Sequence, residues 1–154
     1  MEQNDKPFGY SYLLDMYDCK PGVADDLELH YRFLEKLVDK IGMTKMAPPV
    51  VIHAPRDKEG NEIYPDKAGV SAWVPLIESG IQIHSIEPTH FITMDVYSCN
   101  NFDPNIVLQY AHECFGFARC DERFFSRGSE NWSVMAGSKK MDLPPQESPI
   151  HVSV

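Results

Sequence analysis

Apolar residues cluster along this chain in a pattern that occurs twice. Tyr12-Leu13-Leu14-Asp15-Met16-Tyr17-Asp18-Cys19 is matched by Ile92-Thr93-Met94-Asp95-Val96-Tyr97-Ser98-Cys99, with Asp, Tyr and Cys at the same offsets. Both segments are rich in aliphatic and aromatic residues and predict strands. Each leads into a helical signal. After Cys19, Asp25 and Asp26 favour a helix start, Leu27, Tyr31, Leu34, Val38 and Ile41 fall on one helical face, and Gly42 supplies a stop. After Cys99, Asp103 is a cap, Pro104 suits the first helical position, and Val107, Ala111 and Cys114 share a face before Gly116. Two strand–helix units of this kind predict a sheet covered by helices on one side.

Residues 50–53, 69–77 and 81–84 read as further strands, and 122–126 as a last one. Residues 55–67 are charged and carry Gly60, Asn61 and Pro65, which predicts an exposed loop. From Arg127 onward Gly, Ser and Pro dominate, so 128–154 reads as a loosely held tail or docking arm.

Composition narrows the function classes. A chain of 154 residues is ordinarily one domain, here 1–154, able to bury roughly two thirds of its unfolded surface. Lys plus Arg number 14 against 23 Asp plus Glu, a net charge of −9, which disfavours a nucleic-acid partner. No apolar run is long enough for a bilayer, and the polar residues 1–7 are no secretion signal, so no membrane partner and a cytoplasmic location are expected. Cys19, Cys99, Cys114 and Cys120 form no C-x-x-C pair, and His30, His53, His90, His112 and His151 share no ligand spacing. No metal site is expected, those histidines reading as surface or packing residues, and no lysine suggests pyridoxal phosphate.

The chemistry concentrates in three stretches: Gly69-Val70-Ser71, then Glu78-Ser79-Gly80-Ile81-Gln82-Ile83-His84, then Asp95-Val96-Tyr97-Ser98-Cys99. Ser79 lies between two apolar segments and precedes Gly80, where a tight turn would expose its hydroxyl. Ser71, His84 and Cys99 are the groups expected nearby to donate, accept or shuttle protons. Taken alone, such residues are more often structural than catalytic.

The three stretches resemble the core of the prokaryotic S-adenosylmethionine decarboxylase family, which carries G-V-S, E-S-H-I-S-I-H and D-V-F-T-C in the same order and spacing. Leu14-Asp15-Met16-Tyr17-Asp18-Cys19 is similar to that family's opening strand, so the resemblance spans most of 10–127. It implies a two-layer α/β (α+β) sandwich, an antiparallel sheet with helices on one face, and a homodimer of cleaved protomers. It also implies that Ser79 attacks the Glu78 carbonyl, cutting the chain at 78/79 and leaving a pyruvoyl group in place of Ser79. Ser71 and His84 would assist this processing. The pyruvoyl group would hold an amino-acid-type substrate as a Schiff base and withdraw electrons as carbon dioxide leaves. Cys99 would then return a proton to the substrate carbon, and Cys19, its repeat counterpart, would be a core residue.

One stretch departs from the family pattern. Where the family continues with T-W-P-E, this chain reads Ser85-Ile86-Glu87-Pro88, and residues 54–68 resemble an insertion. Ile86 removes a ring that would stack on adenine, leaving Phe91, Tyr64 or a partner chain's residue to replace it. Glu87 is a candidate substrate-binding carboxylate. Three functions fit these residues. The first is decarboxylation of S-adenosylmethionine for spermidine synthesis, the second decarboxylation of a basic amino acid such as ornithine or arginine. The third is a non-catalytic, unprocessed binding or regulatory partner.

Overall fold

The computed structural model describes residues 7–128, and the expected tail at 128–154 lies outside them apart from Gly128. Six strands form one sheet: β1 (Gly9–Tyr17), β2 (Val50–His53), β3 (Val70–Leu76), β4 (Ser79–Ile86), β5 (Phe91–Ser98) and β6 (Arg119–Arg127). The order across the sheet is β2-β3-β4-β5-β1-β6, and every neighbouring pair is antiparallel. Helices α1 (Leu27–Lys40) and α2 (Pro104–Phe115) share one core with the sheet, making a two-layer sandwich.

The repeat explains the centre of the sheet. β1 and β5, the two similar segments, lie side by side with Leu14 opposite Met94, and each precedes one of the two helices. Alternation does the rest. Tyr12, Leu14, Met16, Val70, Ala72, Val74, Ile81, Ile83, Ile92, Met94 and Val96 face the helices and are buried. The opposite face carries no helix among the described residues. It presents Ile52, Ser71, Trp73, Gln82, His84, Asp95 and Tyr97, related by the strand register.

The helix boundaries follow their caps. The Asp26 carboxylate accepts from the Leu29 amide at 2.9 Å, and the Asp103 carboxylate accepts from Asn105 at 2.9 Å ahead of Pro104. Gly116 ends α2 in the left-handed conformation at φ 59°. The core-facing stripe of α1 differs from the expected one. His30, Phe33, Leu34, Leu37 and Val38 are buried, whereas Leu27 and Tyr31 are 43% and 39% exposed. The helix is rotated because Phe33 stacks on Tyr110 at 5.1 Å and packs against Phe115 at 4.8 Å. His30 donates its Nδ1–H to the Asp26 carbonyl at 2.8 Å, while its Nε2 is buried with no hydrogen-bond partner among the described residues.

β6 and β4 both extend beyond their expected bounds. β6 begins at Arg119, earlier than residue 122, because an edge strand paired only with β1 keeps its charges exposed and shows no alternation. β4 begins at Ser79, so the β3–β4 hairpin turns on Ile77 and Glu78 alone.

Candidate active site

The hairpin turn is pinned from two sides. The segment after α1 reaches across it: Ile77 N–H donates to the Thr44 carbonyl at 2.9 Å, and the Thr44 amide donates to Glu78 Oε2 at 3.0 Å. Glu78 is 8% exposed, an uncommon location for a carboxylate, and the Thr44 amide satisfies one of its oxygens there. On the other side the Cys99 amide donates to the Glu78 carbonyl oxygen at 2.9 Å. Ser79, next in the chain, has φ 145°. A side chain in that region costs about 1–3 kcal/mol of backbone strain, held here by the pairing of β4 with both neighbours.

This arrangement has a definite chemical capacity. The Ser79 hydroxyl is exposed beside a carbonyl carbon whose oxygen already receives an N–H bond. Attack there would place negative charge on that oxygen, where a fixed donor is worth most. Cys99 is exposed at the same turn, whereas Cys19 is buried and its thiol is pushed up to about 11 by desolvation. Ser79 also lines a cleft of about 350 Å³ on the uncovered sheet face, with Trp73, Gly80, Gln82, Asp95 and Tyr97. Burial, and then the Asp15 carboxylate, raise the Asp95 pKa above that of an ordinary aspartate.

The other expected pair forms elsewhere. Ser71 Oγ lies 3.1 Å from His84 Nδ1, both groups exposed on the uncovered face. His84 is five residues from Ser79 along β4, about 17 Å for an extended strand. Glu78, Ser79 and Cys99 therefore meet within one chain, but Ser71 and His84 do not join them. The expectation that all these groups are neighbours fails on strand geometry. Gly69 explains why Ser71 is held where it is. Its φ is 154°, and a Cβ there would sit 2.0 Å from the Ser85 carbonyl oxygen. Only glycine lets β3 start this close to the end of β4.

The profile of the family described as S-adenosylmethionine decarboxylase matches residues 10–128, which include both clusters. The chain belongs to the S-adenosylmethionine decarboxylase family. The chain is similar to the S-adenosylmethionine decarboxylase proenzyme of Clostridium botulinum (strain Loch Maree / Type A3), at 24% identity over 121 residues, 78% of this chain and 94% of that relative. The proenzyme of the same description from Anoxybacillus flavithermus (strain DSM 21510 / WK1) is 40% identical over 48 residues, 31% of this chain and 39% of that relative. The crystal structure of the adenosylmethionine decarboxylase from Aquifex aeolicus VF5 has a TM-score of 0.63 to this chain at 22% identity, covering 88% of this chain and 99% of that one. A likeness at that identity speaks for the fold, and the fold agrees.

Within the S-adenosylmethionine decarboxylase family pattern, the residues of the departing stretch can be placed. Glu87 Oε1 accepts from the Gly22 amide at 2.9 Å, and its Oε2 is buried without a hydrogen-bond partner. That carboxylate ties the end of β4 to the turn before α1 and lies eight residues from Ser79. Phe91 packs on Tyr17 with ring centroids 5.0 Å apart, and Tyr64 is 53% exposed in the loop after β2. The sequence reading missed Trp73 and Tyr97 as rings that share the Ser79 cleft. Trp73 was legible, because it lies two residues from Ser71 on a strand and so shares its face. Thr44 was not, since it acts only through its backbone.

Proposed function

We propose that this chain is a decarboxylase of S-adenosylmethionine that makes its own pyruvoyl group by cutting the Glu78–Ser79 bond, serving spermidine synthesis. The observation that carries the reading is the pinned turn: Ser79 at φ 145° with the Glu78 carbonyl oxygen held by Cys99 N–H at 2.9 Å. The fit to a serine-derived group is good, because the hydroxyl, the carbonyl and the donor are all present at one exposed turn. Ser79 Oγ adds to the Glu78 carbonyl carbon, the Cys99 amide steadies the oxyanion, and the C–N bond breaks as the Ser79 nitrogen takes up the hydroxyl's proton, leaving Glu78 joined through an ester. Elimination then frees the Glu78 carboxylate and leaves dehydroalanine, whose hydrolysis gives the pyruvoyl group and ammonia. The pyruvoyl group, once made, supplies a carbonyl that binds the substrate's amine and takes up electrons as carbon dioxide leaves. The Cys99 thiol donates its proton to the substrate's α-carbon. Trp73 and Tyr97 offer aromatic surface beside Ser79 in place of the ring absent at Ile86.

The working unit in this reading is a homodimer that shares its sites. Trp73 and Ile52 are 50% and 62% exposed on the uncovered sheet face, and a second copy would cover them. In a two-fold pairing of these faces whose axis lies across the strands, the hairpins run in opposite directions and the Ser71–His84 end of one chain lies over the Ser79 end of its partner. The Ser71 hydroxyl and His84 imidazole then move protons at the partner's Glu78–Ser79 bond. The separation of the two clusters within one chain supports this arrangement.

Substrate identity is tested by release of carbon dioxide from processed protein. S-adenosylmethionine should be turned over, while ornithine, arginine and lysine at equal concentration should not. Release from a basic amino acid alone would overturn the substrate and leave the self-cleavage mechanism standing. Glu87, the carboxylate a short basic substrate would need, is engaged by Gly22 in this structure.

A further inference from the structure

Beyond the β3–β4 hairpin, three potential ligands converge from segments far apart in sequence. Asp25 ends a short 3-10 turn at Val23–Asp25, His53 closes β2, and Glu62 comes from the loop at 54–68 that departs from the family pattern. One ligand atom from each lies within 4.8 Å of the others. His53 Nε2 contacts Asp25 Oδ1 and lies 3.8 Å from Glu62 Oε1. Arg56 stands among them, with Nε 2.6 Å from Glu62 Oε1 and Nη2 3.1 Å from Asp25 Oδ2.

The hydrogen bonding of this cluster does not close. His53 Nδ1 is 2.6 Å from the Ala54 carbonyl, which can only accept, so the ring proton resides on Nδ1. In the neutral ring Nε2 then presents a lone pair to the Asp25 carboxylate, acceptor against acceptor. In the protonated ring Nε2–H satisfies Asp25 but faces Arg56 Nη2 at 3.0 Å, donor against donor. Neither state satisfies both contacts. Glu62 Oε2 is also buried without a hydrogen-bond partner among the described residues. A cation in place of the Arg56 guanidinium would accept all of these lone pairs. The Nδ1–H bond to a backbone carbonyl is the orientation that metal-ligating histidines adopt. The Arg56 side chain is 44% exposed, so an ion that took its place would leave the guanidinium a path to water.

We propose that Asp25 Oδ1, His53 Nε2 and the Glu62 carboxylate form a binding site for a divalent transition-metal ion, with Arg56 as its displaceable stand-in. One imidazole with two carboxylates suits Zn²⁺, Co²⁺ or Mn²⁺, and three protein ligands leave positions for water. The two carboxylates neutralise a divalent charge. The ion would fasten the loop at 54–68 to the turn before α1, beside the strand pair that carries Ser71, since His53 is paired with Val70.

The test is calorimetric titration of chelator-treated full-length protein with Zn²⁺, repeated with Co²⁺ read by its visible d–d absorption. The expected result is one site per chain whose Co²⁺ spectrum lacks a thiolate charge-transfer band, which separates it from binding at the cysteines. His53→Ala and the near-isosteric Glu62→Gln should each weaken binding at least tenfold, with folding checked by circular dichroism. Arg56→Ala should tighten it, because the competing cation is gone. Absence of binding in the unaltered protein, or affinity unchanged by both His53→Ala and Glu62→Gln, would overturn the site. Binding that appears only after Arg56→Ala would also overturn it and leave an ion-pair latch. None of these readouts depends on cleavage or turnover.

Discussion

Strain at Ser79 and polarisation at Glu78 act on the same peptide bond from its two ends. A non-glycine residue at φ 145° stores energy that opening of the chain releases, while the N–H of Cys99 marks where charge will develop. Cys99 thus has two separable parts. Its amide serves cleavage and its thiol serves turnover. Cys99→Ala keeps the amide, so the protein should still cut itself, yet lose roughly 10²-fold or more in decarboxylation. Fragment analysis beside carbon dioxide release checks both halves, and near-normal turnover would assign the proton to another group. Gly69 makes a second demand at this scale. Gly69→Ala drives a Cβ into the Ser85 carbonyl and should cost about 2–3 kcal/mol in urea unfolding while slowing cleavage.

Among the elements, α1 carries a titratable group where a helix ordinarily buries hydrocarbon. His30 is fully buried against Phe115, and desolvation lowers its pKa below 6.5. A lowered folded pKa means that the unfolded chain binds the proton more readily. Stability is therefore complete above about pH 6.5 and falls as the pH drops from there toward the lower folded value. His30→Leu should flatten that slope in urea melts taken across the window, and an unchanged slope would show that other groups set it. The helix also shows what could be read in advance. Its cap at Asp26, and the Asp103-Pro104 start and Gly116 stop of α2, are local chemistry and were legible. The buried face was legible in part: Leu34, Val38 and Ile41 are buried as expected, whereas the replacement of Leu27 and Tyr31 by His30, Phe33 and Leu37 is a modest rotation that only packing on Phe115 and Tyr110 decides. The strand motifs showed the same split. Gly69-Val70-Ser71 and Glu78-Ser79 were legible as chemistry, while the distance between Ser79 and His84 became plain only once β4 was a single unbroken strand. His53 gave no signal, since Asp25 and Glu62 reach it from other elements.

For the molecule as a whole, the site proposed here is divided between two chains, which a mixing experiment can expose. A Ser79→Ala chain keeps Ser71 and His84, and a His84→Ala chain keeps Ser79. Neither should cleave well alone. Co-expressed, they should form mixed dimers in which the His84→Ala chain is cut with its partner's histidine, while the Ser79→Ala chain stays intact. Failure of mixed dimers to restore cleavage would show that each chain processes itself. Cleavage should not separate the fragments, because β3 and β4 stay paired along their length and β4 remains between β3 and β5.

Ser79 becomes the catalytic group by breaking its own bond to Glu78, and intact mass spectrometry of the purified protein reads that event itself. Two chains are expected, residues 1–78 and residues 79–154, the second lighter by one ammonia than a fragment beginning with serine, and a single uncut chain for Ser79→Ala. An uncut chain from the unaltered sequence, or cleavage that persists in Ser79→Ala, would contradict it.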